Sequence, residues 1–312
     1  MNELRVMNNN AVMNVSFSNE MFTRWTSFID ATPKTIETYT KAVRQFLYYL
    51  QANGIKQPTR ADVIAFKDFV AKEHKPTTAQ NYLMAVKQFF KWTNQEGIYP
   101  NIADNVKAVK LTKGHKKDYL TTAQVKNVLS TADNETIKGL RDYAILSLMV
   151  TTGLRTVEVV RANIEDMRTV ADFTALFIQG KGRTEKTEFV KLSQKVEDAI
   201  RAYLKARGTA KGNEPLFSSL SNRNNNERMT TRSVSRIAKT HFIDAGLNSD
   251  RITAHSLRHT TATLNLLNGG TVEETQQLLR HSNINTTLIY SHALERANNN
   301  SEQRVTDAIF ND

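Results

Sequence analysis

Arg155 stands directly after the most apolar stretch of the chain, "LRDYAILSLMVTTG" at residues 140–153. An arginine at such a point must either be paired or bind something anionic. Glu158, three residues on, is the obvious partner. In "HSLRH", His255 and Arg258 are spaced to share one face of a helix. Lys181, in "GKGR", sits at the tip of a two-stranded ribbon, where a flexible ammonium can swing into a site. In "LLRHSNINTTLIYSH", residues 278–292, His281 and Tyr290 lie nine positions apart, and the tyrosine is either a core aromatic or a nucleophile. Taken singly, each has an ordinary explanation: a satisfied histidine, a solvated hairpin lysine, a buried Arg–Glu pair. The histidines 255, 259 and 281 lack the H-E-x-x-H arrangement and a neighbouring carboxylate cluster, so a metal centre is not expected. With no G-x-S-x-G elbow, a serine hydrolase triad is not expected either.

The elements that must hold these residues are mostly helical. In "TIETYTKAVRQFLYYL", Ile36, Tyr39, Val43, Phe46, Leu47 and Leu50 recur at three- and four-residue steps and mark one buried face. "TRADVIAFKDFV" opens on a capping-box pair, Thr59 and Asp62, and stacks Val63, Phe66 and Val70. "TTAQNYLMAVKQFFKW" opens on a second pair, Thr77 and Gln80, and stacks Tyr82, Val86, Phe89 and Phe90. Residues 1–15 are polar and Asn-rich and read as a loose tail, followed by a small all-α domain over 16–109. "KLTKGHKKD", residues 110–118, holds four lysines and no apolar periodicity and reads as a basic interdomain linker. A second domain, 119–312, starts with the capping pair Thr121 and Gln124. It continues with a central buried helix that runs up to Gly153. "FTALFIQGKGRTEKTEFVKL" then reads as a β-hairpin. Helices follow at "KVEDAIRAYLKAR" and from about 231, 256 and 271, the last capped by Thr271 and Glu274. The expected fold is therefore mainly α, with a small antiparallel sheet in the second domain.

The 312 residues contain 42 Lys and Arg against 31 Asp and Glu, a formal net charge of +11. A surplus of that sign attracts polyanions, of which nucleic acid is the commonest. The absence of cysteine excludes disulfides, thiolate metal sites and cysteine nucleophiles. No apolar run is long enough to span a bilayer and the N-terminus has no signal-peptide core, so a cytoplasmic protein is expected.

In chain order, Arg155, Lys181, His255-x-x-Arg258, His281 and Tyr290 form a set that resembles the tyrosine recombinase family of phage integrases and Xer- and Cre-type recombinases. "TTGLRTVEVV", "IQGKGRTEK", "HSLRHTTAT" and "LLRHSNINTTLIYSH" carry the likeness, which is close over residues 118–295. The N-terminal helical domain is similar to the family's SAM-like core-binding domain in architecture only. The resemblance implies a site-specific recombinase that cleaves DNA through a 3′-phosphotyrosyl intermediate and exchanges strands through a Holliday junction. It needs neither a metal nor another cofactor. Tyr290 would be the nucleophile, His255 its proton acceptor and Lys181 the general acid for the leaving 5′ oxygen. Arg155, Arg258 and His281 would hold the phosphate, and Glu158 would orient Arg155 from behind.

The partners implied are two double-stranded DNA sites, clamped between the two domains. Assembly would go from free monomer to homotetramer on DNA, with a directionality factor as a further candidate. The reaction would integrate or excise a mobile element, or resolve dimers. Lys110, Lys113, Lys116, Lys117, Arg183 and Arg280 are expected to touch the DNA. The tail "SEQRVTDAIF", with Val305, Ala308 and Ile309 at helical spacing, either docks on a neighbouring subunit or folds back on its own domain. The alternatives are a catalytically silent DNA-binding regulator and a type IB topoisomerase-like relaxing enzyme. One position departs from the family pattern. Glycine usually precedes the second histidine, and Arg280 stands there. If the backbone needs a positive φ at that point, an arginine is disfavoured.

Overall fold

The computed structural model describes residues 19–110, 118–180 and 182–310. The loose tail at 1–15 and most of the basic linker fall outside these residues. The chain divides into two compact units, Met1–Gly114 and His115–Asp312.

The first unit is built from α1 (Asn19–Phe28), α2 (Pro33–Ala52), α3 (Arg60–Glu73) and α4 (Pro76–Gln95). The periodic residues of α2, α3 and α4 converge on one core with Trp25 of α1. Its aromatic side chains meet edge to face, Trp25 with Phe89 at 5.3 Å and Phe46 with Phe66 at 5.0 Å between centroids, the arrangement their ring quadrupoles favour. The capping pair at the start of α3 forms, with the Thr59 N–H donating to Asp62 Oδ2 at 2.7 Å. The pair expected at α4 does not. That helix begins earlier, with Pro76 in its first turn and Lys75 as its cap, because proline fixes a helical φ and has no N–H to leave unpaired. Gln80 is thereby released, and its side-chain oxygen accepts the N–H of Val109 at 2.8 Å.

The second unit opens with α5 (Thr122–Ser130) and α6 (Ile137–Thr152), then a short α7 (Thr156–Arg161). β1 (Met167–Val170), β2 (Phe173–Ile178) and β3 (Glu188–Lys191) follow as one antiparallel sheet in that order. The expected hairpin is β2–β3, and β1 adds a strand to its free edge. The remaining helices are α8 (Gln194–Arg207), α9 (Thr231–Asp244), α10 (Ala254–Leu267), α11 (Val272–Leu279), α12 (Asn285–Asn298) and α13 (Ser301–Phe310). From Ala144 to Val150 every residue of α6 is buried, and the helix packs chiefly against α8 and α10. An apolar helix of this kind needs neighbours on all sides, and its sequence is apolar all round for that reason. The helix α13 has no buried residue, and Val305, Ile309 and Phe310 are 59%, 65% and 76% exposed. Among the described residues no helix is long and apolar enough to cross a membrane.

Inside this core lies an ionic cluster. Asp142 Oδ1 accepts Nε and Nη2 of Arg141 at 2.9 and 2.8 Å, and Oδ2 faces His241 Nε2 at 3.4 Å. Arg141 also donates to the Ser218 carbonyl, while His241 Nδ1 meets the Thr131 hydroxyl at 2.7 Å. Burial pushes the Asp142 carboxyl up, but its bonds to His241 and Arg141 outweigh that and hold it below the usual range. Removing one partner of a buried ion pair leaves an uncompensated charge in a low dielectric. Asp142→Ala should therefore lower the unfolding free energy by about 3–5 kcal/mol, read from urea denaturation of the full chain. A loss below about 1 kcal/mol would show that solvent already reaches the cluster.

Candidate active site

Two helix ends meet to form the site. The helix α6 stops at Gly153, whose φ of 63° is left-handed. A Cβ there would also lie 2.5 Å from a methyl of Leu279, so both backbone angle and space call for glycine. The helix α11 stops at Arg280, with φ 56° and ψ 48°. There the Arg280 N–H reaches the Gln277 carbonyl at 3.0 Å and the His281 N–H reaches Gln276 at 3.1 Å, the paired bonds of a Schellman turn. The position does take a positive φ, and arginine adopts it. Between the two ends lies Arg258 of α10, only 1% exposed. Its Nη1 donates to the Gly153 carbonyl at 2.5 Å and its Nη2 to the Leu279 carbonyl.

Arg155 is the cap residue of α7, and of the two roles open to it in sequence the pairing with Glu158 is the one seen. Glu158 is fully buried. Its Oε2 accepts the Arg155 backbone N–H at 2.8 Å and its Oε1 accepts Nη1 at 2.7 Å. The remaining Nε and Nη2 of Arg155 carry no hydrogen bond among the described residues, and the side chain stays 31% exposed. Oε2 of Glu158 also accepts Nη2 of Arg280 at 3.2 Å, so one carboxylate serves two guanidiniums. Burial raises the Glu158 carboxyl, yet the Arg155 N–H, the Arg280 charge and the Arg155 side chain together keep it below the ordinary value. Among the described residues Arg258 forms no ion pair with a carboxylate of its own. Burial, then Arg155 and Arg280, push it down to about 9.

Tyr290 lies on α12 and is 6% exposed, packed with Ala262 and Leu279. Burial raises its phenol, while Arg258 and Arg155 pull it the other way. His259, one residue past Arg258, lies edge-on to Tyr290 with ring centroids 5.2 Å apart, and His255 lies edge-on to His259 at 4.8 Å. The three rings form a row from the exposed His255 inward to Tyr290. His255 and Arg155 both line an open cleft of about 640 Å³. His281 places Nδ1 2.9 Å from the hydroxyl of Thr287, which is fully buried. Burial, then Arg258, Arg155, Arg280 and His255, push its imidazole down to about 4, so it is neutral at physiological pH.

Arg155, Arg258, His281 and Tyr290 thus share one electrostatic environment, and His255 adjoins it through the cleft. Lys181, Lys113, Lys116 and Lys117 fall outside the described residues. Gln179, just after β2, donates from Nε2 to the carbonyls of Arg183 and Thr184 at 2.8 and 3.1 Å. Lys110 is exposed, and the half-exposed Arg183 pairs with Glu188 at 3.0 Å. Arg280 does not point outward as a surface contact to DNA. Its side chain is 8% exposed and its donors go to Glu158 and to the carbonyls of Leu278 and Thr152. The left-handed backbone at 280 directs the guanidinium back over the end of its own helix.

Neither Thr287 nor the stacking of His259 on Tyr290 follows from a local sequence pattern. Thr287 was signalled only by its place three residues before Tyr290, one turn away on the same helix face. Among the described residues no group of three potential ligands is placed to hold a metal ion.

Residues 118–296 match the phage integrase family, and residues 20–99 match the phage integrase N-terminal SAM-like domain. The tyrosine recombinase XerD of Listeria monocytogenes is 29% identical over 269 residues, covering 83% of this chain and 87% of that protein. Among solved structures, the XerH site-specific recombinase bound to palindromic difH, a post-cleavage complex, superposes with a TM-score of 0.70 at 22% identity. That match covers 90% of this chain and 84% of XerH. The lambda integrase tetramer bound to a Holliday junction superposes with a TM-score of 0.66 at 17% identity, covering 87% and 76%. At those identities the likeness is one of fold. With more than half its length matched by the family and the SAM-like domain before it, this chain belongs to the phage integrase family.

Proposed function

We propose that the chain cuts and rejoins DNA at specific sites, with Tyr290 as the nucleophile. The observation that carries this reading is the surplus of positive charge beside the phenol. Three guanidiniums, those of Arg155, Arg258 and Arg280, gather around the single carboxylate of Glu158. A phosphodiester brings one negative charge and gains a second as it becomes pentacovalent. Donors fixed in advance at that point stabilise the transition state more than the ground state.

In this scheme the Tyr290 oxygen attacks the scissile phosphorus and the P–O5′ bond breaks. The phenol proton passes to His255, and Lys181 gives a proton to the departing 5′ oxygen. A 3′-phosphotyrosyl bond results, and the 5′ hydroxyl of a partner strand reverses the step. Phosphate bond energy is conserved throughout, so neither a nucleotide nor a metal enters. Arg155 offers its free Nε and Nη2 edge to the phosphate. Arg258 acts differently from a bidentate clamp. Each of its Nη atoms already gives one hydrogen to a carbonyl, and only the second hydrogens and Nε remain for a ligand. For His281 to donate from Nε2, its Nδ1 must accept, and the Thr287 hydroxyl 2.9 Å away can donate to it.

The similar XerH and lambda integrase structures are DNA complexes, one of them a tetramer on a Holliday junction. By the same reading this chain assembles on two duplex sites as a tetramer, in the cytoplasm, to integrate, excise or resolve. The helical first unit and the linker lysines Lys110, Lys113, Lys116 and Lys117 would hold the duplex. The uncovered apolar face of α13 would rest on a second copy.

The test uses nicked duplexes built from sites recovered by selection on a randomised DNA library. Wild type should trap a covalent adduct, Tyr290→Phe should trap none, and EDTA should leave the yield unchanged. An adduct with Tyr290→Phe, or loss of cleavage in EDTA, would overturn the assignment. Arg155→Ala should still bind the site but cleave roughly 10²–10³-fold more slowly in single turnover. Full-rate cleavage would remove Arg155 from the machinery. The His281 shift predicts a stability effect with a definite sign. The unfolded chain takes up a proton near 6.5, whereas the folded chain resists until about 4. The histidine's contribution is therefore complete above 6.5 and is lost as pH falls toward 4. In His281→Gln the melting temperature should fall less steeply than in wild type across that window. Parallel curves would mean that His281 is solvated.

A further inference from the structure

We propose that Arg280 is a positioning residue that ties the turn carrying His281 to the carboxylate holding Arg155. This rests on the assignment of Arg155 and His281 to the reacting phosphate. Its own evidence is the geometry of one side chain. The Arg280 guanidinium bridges three elements. Nη1 donates to the Leu278 carbonyl in its own helix at 2.7 Å and lies 3.4 Å from the Thr152 carbonyl at the end of α6. Nη2 donates to Glu158 Oε2 on α7 at 3.2 Å. That oxygen is the one that also accepts the backbone N–H of Arg155. A displacement of the His281 turn is thereby felt at Glu158, and through Glu158 at Arg155.

Several features at this position disfavour an arginine. The backbone is left-handed, which glycine adopts freely and arginine does not. The guanidinium is buried near two others, and burial followed by Arg155 lowers its affinity for a proton, against the pull of Glu158. Its Nε is buried with no hydrogen-bond partner among the described residues. What offsets them is the bond to Glu158 and the carbonyls. A glycine in the same turn would keep the Schellman bonds, relieve the backbone and leave Glu158 Oε2 with Arg155 alone. The tie would go together with one of the three positive charges felt by Arg258 and His281, and a lysine at 280 separates the two because it keeps the charge. A direct grip on DNA phosphate is the competing role. The observed donors do not favour it, because they are turned to protein acceptors in a side chain 8% exposed.

Arg280→Gly separates these possibilities in the full-length protein, since the substitution suits the turn and should leave the melting temperature within a few degrees of wild type. Expected are an unchanged Kd for the selected site, an unchanged slope of log Kd against log salt, and single-turnover adduct formation at saturating DNA slowed roughly 10–100-fold. Glu158→Gln should be slowed as well, and the double variant should be no slower than the worse single one, because both act through the same carboxylate. Arg280→Lys should recover little, since an ammonium cannot span the same acceptors in a plane. A salt slope reduced by about one unit with weaker binding would make Arg280 a phosphate contact. Full-rate cleavage by Arg280→Gly, or strictly multiplicative losses in the double variant, would also overturn the proposal. Each of these outcomes is read against a wild-type adduct. Its absence, or its survival in Tyr290→Phe, would sink the nucleophile assignment instead.

Discussion

The second unit depends on one buried cation holding two helix ends together. Arg258 donates to the last carbonyls of α6 and α11, at Gly153 and Leu279. Helix C-termini carry unpaired carbonyls and a partial negative charge, so two of them would repel if brought together bare. A guanidinium between them satisfies the carbonyls and offsets that repulsion. Everything else in the site is measured from that junction. Arg155 starts two residues after one end, His281 two residues after the other. Tyr290 comes from the helix that follows and packs on the Leu279 side chain. Gly153 belongs to the same constraint, because Leu279 occupies the space a Cβ would need.

The junction also explains why the charges do not cancel. Arg258 is satisfied by carbonyl dipoles and not by an acid, so its charge remains to be felt. Glu158 is shared between Arg155 and Arg280, and the next carboxylate that Arg280 feels, Glu188, is paired with Arg183 on the hairpin. The consequences reach the neutral groups. Burial first, and then the charges of Arg258, Arg155 and Arg280, push the His281 imidazole down to about 4. Tyr290 is held between burial, which favours the phenol, and two guanidiniums, which favour the phenolate. Burial wins in the free protein. On our reading, a phosphate entering beside Arg155 would supply the missing anion, and the same guanidiniums would then steady charge developing on the phosphorus.

Much of this was legible in sequence, for identifiable reasons. The central helix showed itself because a helix buried all round is apolar all round, and its end showed because Gly153 is the residue a left-handed stop favours. The β2–β3 ribbon showed through β-rich runs flanking Gly-Lys-Gly-Arg. The Arg155–Glu158 pair followed from spacing alone. The failures were equally physical. Thr77 and Gln80 have capping spacing, but Pro76 nucleates the turn earlier and claims the first helical position. β1 is short, its middle residues are exposed, and it gives almost no alternating signal. Thr287 and His259 matter through contacts across a junction of three helices, and no local pattern reports such a junction.

Arg280 shows most sharply where spacing stops being informative. Its type and place suggested a cation facing DNA, and its spacing from Tyr290 raised no objection. Direction came from φ. A left-handed residue at the end of α11 turns its side chain back over the preceding turn, toward the end of α6, where Glu158 waits. On our reading, the left-handed angle and the burial of the side chain make this arginine part of the frame behind the reacting groups and not part of a surface field. That angle is set by the Schellman bonds at Gln276 and Gln277, and so by a helix end that must stop there for Leu279 to reach Arg258.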